Sequence, residues 1–106
     1  PIQSEVVKSR TRAMWHGFAV LTVILDRNEV DEEMPISTAG LLEDEDDPIL
    51  DTVRLAVRKA IDRLSRDAKE ADDHTVSEAA RIAARRAFRT LFDKRPITRV
   101  HLVRLD

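Results

Sequence analysis

The apolar pattern of the chain changes character three times, and each change predicts a different element. From Phe18 to Leu25 the sequence Phe-Ala-Val-Leu-Thr-Val-Ile-Leu is an unbroken apolar, β-branched run. Its length and its Val/Ile/Thr content favour a strand over a helix. Its lack of alternation predicts a strand in the middle of a small sheet with both faces covered. Asp26-Arg27-Asn28-Glu29 follows with turn chemistry, since Asp and Asn bond to nearby backbone and tolerate unusual dihedrals. A second strand is predicted near Met34 to Leu42. Pro35 at its start and Gly40 near its end mark it as an edge strand, because proline cannot donate to a ladder.

The period then becomes helical. Asp47-Pro48 opens a first helix, with Asp as cap and Pro at the first helical position. Leu50, Val53, Val57, Ala60, Ile61 and Leu64 recur at three- and four-residue spacing and form one stripe. Arg58–Asp62 and Asp62–Arg66 are four apart on the wet side. Lys69 to His74 is polar and reads as a loop. Thr75-Val76-Ser77-Glu78 has the form of a capping box. The second helix is predicted from there to about Asp93, with Val76, Ala80, Ala83, Ala84, Ala87, Phe88 and Leu91 as its stripe. Pro96 stops it, and Ile97 to Leu105 is a third strand. The order β-β-α-α-β predicts an α+β two-layer sandwich: a three-stranded sheet with two helices on one face. Residues 1–14, mixed and polar with Lys8, Arg10 and Arg12, read as a linker or entry arm. Residues 15–106 read as one domain.

Composition adds limits. The chain has 106 residues, enough for a single domain. It has no cysteine, which excludes disulfides and thiolate metal sites and fits a reducing, cytoplasmic location. No apolar run approaches the roughly 18 residues of a membrane span. The first residues carry no signal-peptide pattern and no initiator Met, as expected of a piece of a longer protein.

Charge changes the picture most. The formal net charge is -2. Yet Asp26, Glu29, Asp31, Glu32, Glu33, Glu43, Asp44, Glu45, Asp46, Asp47 and Asp51 meet only Arg27 in their stretch. Further on, Arg81, Arg85, Arg86, Arg89, Lys94, Arg95, Arg99 and Arg104 meet only Asp93. Separated signs predict two electrically different surfaces and contact with something charged: another copy of the chain, or a polyanion. Arg81, Arg85 and Arg89 are four apart and share a helix face. A solvated face, an RNA phosphate track and an ion-pairing surface for a neighbouring subunit all fit that row.

Searches for reactive chemistry return little. His16, His74 and His101 fall on separate elements without ligand spacing. Gly17 and Gly40 alone cannot build a phosphate-cradling loop, and the GxxG clamp and stacking aromatics of common RNA modules are absent. The run Glu43–Asp47 lacks the spaced alternation and glycine of a calcium loop and reads as a solvated loop. The phenylalanines read as core. Trp15 covers one end of the sheet or sits in an interface. No catalytic or metal residue is predicted in this chain.

Several segments together carry a resemblance. They are Ser9-Arg10 through Gly17-Phe18-Ala19-Val20 to Leu25-Asp26, the Ser37-Thr38-Ala39-Gly40-Leu41 segment before an acidic turn and helix, and Arg86-Ala87-Phe88 running to Lys94-Arg95-Pro96 before a last strand. In this order they resemble the C-terminal domain of ribonuclease J, a bacterial RNA-degrading enzyme of the metallo-β-lactamase/β-CASP type. The resemblance implies a zinc-dependent parent hydrolase with 5′-to-3′ exonuclease and endonuclease activity, whose metal motifs lie outside this chain. It implies a non-catalytic accessory domain that supports homo-oligomer assembly. The alternative is an RNA-binding module that guides substrate to the catalytic domains. Arg81, Arg85, Arg89, Lys94, Arg95 and Arg99 are the expected RNA or subunit contacts, and Trp15 an expected interface residue.

Overall fold

The computed structural model describes residues 16–40, 48–66 and 72–105. The 1–14 arm, Trp15, the Glu43–Asp47 run and Asp47 as a cap therefore lie outside the described residues. The element order is β1 (Phe18–Asp26), β2 (Glu29–Val30), β3 (Ile36–Ala39), α1 (Ile49–Asp62), α2 (Asp73–Phe92) and β4 (Ile97–Leu105).

β1 is the central strand. β4 runs parallel to it along its whole length, from Phe18 opposite Ile97 to Asp26 opposite Leu105. A parallel neighbour needs a crossover, and α1 and α2 supply it. The other edge of β1 is shared. β3 pairs antiparallel with its first half, Leu21 opposite Ile36, and β2 with its last residues, Leu25 opposite Val30. The sheet thus has four strands where the sequence predicted three. The extra one, β2, is two residues long and too short to show a period. It forms because Arg27 (φ 53°) and Asn28 (φ 68°) both turn left-handed, the backbone of a tight hairpin. Between β2 and β3 the edge bulges. The Asp31 N–H donates to the Ile24 carbonyl at 2.8 Å and the Thr22 N–H to the Pro35 carbonyl at 2.9 Å. Residues 32–34 loop out between them, which tucks Met34 into the core at 2% exposure. From α1, Arg54 Nε donates to the Met34 carbonyl at 2.7 Å and Arg58 to the Asp31 carbonyl at 3.3 Å. Arg58 is thus turned to the bulge rather than to Asp62.

One face of the sheet is buried. Leu50, Val53, Val57 and Ile61 of α1 and Val76, Ala80, Ala84 and Phe88 of α2 pack with Ala19, Leu21, Val23 and Leu25 of β1. The alanines let α2 lie close to the sheet, and Phe88 fills the space between, its ring 6.2 Å from that of Phe92. The expected α+β class with both helices on one face is what the chain forms.

The expected burial of both faces of β1 is not. Its burial alternates strictly. Ala19, Leu21, Val23 and Leu25 are inside, while Phe18, Val20, Thr22 and Ile24 are half-buried. On that second face, Ile97, Arg99, His101, Val103 and Leu105 of β4 stand beside them in register. Both helices belong to the opposite layer, so no described element packs here. The run was apolar on both sides, but the described chain supplies cover for one.

The helix ends also differ from expectation. α1 is preceded by Pro48 without a side-chain cap, and Asp51 in its first turn pairs with Arg54 at 2.8 Å. α2 begins earlier than the predicted capping box. Asp72 is the cap: its carboxylate accepts the Thr75 N–H at 3.1 Å and the Thr75 hydroxyl at 2.5 Å. His74 therefore lies in the first helical turn rather than a loop, and Glu78 is free to pair with Arg81. The Thr75 hydroxyl and amide hold the Asp72 carboxyl below its ordinary value of 3.8. A depressed carboxyl contributes stability above the unfolded value and loses it as pH falls through the folded one. We expect Asp72→Asn to melt near the native temperature at neutral pH, since Asn also caps, and to show a shallower loss of stability on acidification. Asp72→Ala should melt lower at neutral pH as well. Circular dichroism melts at neutral and acidic pH check both.

Candidate functional site

The cationic residues predicted as contacts are divided by the fold. Arg85, Arg86, Arg89 and Arg95, with Ile82, line one hollow of about 290 Å³ on the outer side of α2. α2 supplies Arg85 and Arg89 one turn apart, with Arg86 beside them. Asp93 ends the helix in the left-handed conformation (φ 53°), and the chain turns back so that Arg95 joins the group. The Arg95 N–H is pinned by His16 Nδ1 at 3.2 Å.

The other three predicted residues lie elsewhere. Arg81 is clasped by Glu78, with Nε to Oε2 at 3.0 Å and a second contact from its Nη2. That pairing raises the Arg81 guanidinium and lowers the Glu78 carboxyl from their ordinary values, through the shared hydrogen bonds first. Lys94 donates to the Gly40 carbonyl at 3.2 Å. Arg99 stands on the open sheet face opposite Val20. Two of the row of three on α2, Arg85 and Arg89, share the hollow with Arg86 and Arg95. Arg81 leaves it because a carboxylate three residues back neutralises it, and Arg86 enters because Arg95 closes the hollow from outside the helix. The signal for Arg86 was present in the Arg85-Arg86 doublet. The signal for Arg95 was not, since it depends on the turn at Asp93.

Arg85, Arg86, Arg89 and Arg95 have no carboxylate at ion-pairing distance among the described residues. The ion pairs found there are Arg54–Asp51, Arg81–Glu78 and Arg104–Asp73. Four guanidinia around one hollow repel one another by a few tenths of a kcal/mol per neighbouring pair, so the site favours an anion.

Among the described residues no group of three or more His, Asp and Glu side chains comes together as a metal centre would need. The zinc implied for the parent enzyme does not fit these residues. No described helix is long and apolar enough to cross a membrane.

The described residues thus form a mixed sheet with two helices on one face, a second face that no described element covers, and an arginine hollow beside α2. The family model of the ribonuclease J C-terminal domain matches residues 5–105, nearly the whole chain. The chain belongs to this family, and is an accessory domain of a ribonuclease J. No curated protein matches it.

Proposed function

We propose that this domain joins copies of its parent ribonuclease into a homo-oligomer, with the second face of the sheet as the contact. The observation that carries this reading is the mismatch on β1. Phe18, Val20 and Ile24 are as apolar as the buried face, yet no described layer covers them. A strand composed for burial on both faces fits a sheet whose second cover is another molecule. On this reading the catalysis belongs to the parent, a zinc-dependent metallo-β-lactamase/β-CASP hydrolase of the cytoplasm acting on RNA 5′-to-3′ and internally. Sedimentation of the parent enzyme with and without this domain tests it. Loss of the oligomer on deletion is expected, and an unchanged oligomer refutes it.

A second reading has its own support. The hollow formed by Arg85, Arg86, Arg89 and Arg95 fits successive phosphates of a single RNA strand, since side chains one helical turn apart stand roughly 5–6 Å from each other. We expect Arg85→Glu with Arg89→Glu to weaken RNA binding by the parent at least about tenfold and to flatten its dependence on salt, with assembly intact. Fluorescence anisotropy with a labelled single-stranded RNA across a salt series checks this.

A further inference from the structure

On the outer side of the helical layer, away from the sheet, α1 and α2 leave a trough between them of about 530 Å³. Its floor is made by alanines of both helices, among them Ala60 and Ala83. Ile82 projects at its edge, 41% exposed. Its rim is cationic on both sides: Lys59 and Arg63 from α1, Arg86 from α2. No carboxylate lines it.

We propose that this trough binds an acidic amphipathic helix of a partner protein. The alanine floor decides the shape of the occupant. Without side chains beyond Cβ, the two helices leave room for a third rod lying along them, its apolar ridge entering the groove. The trough runs beside residues 52 to 63 of α1, about 16 Å at 1.5 Å per residue, which is roughly three helical turns. The rim decides the charge. Cations on both banks fit a helix with an apolar stripe flanked by Glu and Asp, the helix-in-groove mode of recognition. Two other occupants fit less well. No aromatic ring lines the trough, so RNA bases would find no stacking platform, and an apolar floor offers phosphates nothing. A second copy of this chain docking trough to trough would bring an equally cationic rim against this one. The site shares Arg86 and Ile82 with the arginine hollow but otherwise rests on Lys59 and Arg63, which lets the two be separated by substitution at those two positions.

The test uses two synthetic helical peptides of about twelve residues, the length that spans the trough. Both carry the same leucine stripe, one flanked by glutamates and the other by lysines. Each is titrated into the protein and followed by backbone amide shifts and by anisotropy. The glutamate peptide is expected to bind, to shift the amides of Ala60, Ile82 and Ala83, and to weaken with added salt. Lys59→Glu with Arg63→Glu, both at exposed positions, should weaken it at least about tenfold. Ile82→Ser, which removes the apolar anchor and leaves the charge, should weaken it as well. Arg85→Glu with Arg89→Glu should matter less. The oligomeric state of the parent should be the same in all of these variants, so the failure of this site and the failure of the assembly reading are read separately. Equal binding of both peptides, binding of neither, or a single-stranded RNA whose affinity drops with Lys59→Glu and Arg63→Glu would each overturn the proposal.

Discussion

Replacing Phe88 by alanine is expected to remove a large share of the domain's stability. Phe88 heads the largest side chains buried without exposure, and it lies where α2 meets α1 and β1. The neighbours on its own helix face, Ala80 and Ala84, are too small to collapse into the space it leaves. A phenylalanine truncated in a core costs about 3–5 kcal/mol. A domain of this length has only about 5–15 kcal/mol of stability in total. Phe88→Leu, which keeps most of the volume, should cost much less. Urea unfolding of the two variants followed by circular dichroism measures the difference. A Phe88→Ala midpoint close to that of the native protein would mean that α2 is not seated on the core as described.

How far the fold could be read in advance depends on the length of each signal. α1 and β4 were legible because each sustains its pattern over nine or more residues, and β4 falls on the predicted Ile97–Leu105. The start of α2 was not, because two competent caps lie one turn apart. Thr75 with Glu78 satisfies the capping-box pattern, yet Asp72 takes the role. A carboxylate caps as well as a hydroxyl, and the earlier start adds helical hydrogen bonds. β2 was invisible because a two-residue strand has no period. The arginine site was half legible. Spacing along a helix finds Arg85 and Arg89, but the loss of Arg81 to Glu78 and the arrival of Arg95 depend on rotamers and on a left-handed turn.

β1 is the most informative difference. Its sequence called for cover on both faces, and the described chain provides one layer. The expectation of two layers of cover failed among the described residues, which supply one. That failure carries the functional reading, and it makes the second large prediction. Val20→Glu with Val103→Glu places two carboxylates on the open face, one on β1 beside Arg99 and one on β4 beside Ile24. In the separate domain both reach water, so the melting temperature should move by only a few degrees, about 1 kcal/mol for a chain of this size. In an assembled sheet face the carboxylate at position 103 becomes an unpaired buried charge and the one at position 20 is buried with Arg99 beside it, and desolvating them costs several kcal/mol. Association should weaken at least about a hundredfold, since each 1.4 kcal/mol is about a factor of ten.

The sharpest test is sedimentation equilibrium of the parent ribonuclease carrying Val20→Glu and Val103→Glu, beside the unchanged enzyme and the Arg85→Glu/Arg89→Glu variant. Dissociation of the sheet-face variant alone, with its helical content and melting curve preserved, is the predicted result. A sheet-face variant that remains assembled at the same concentrations would contradict the account.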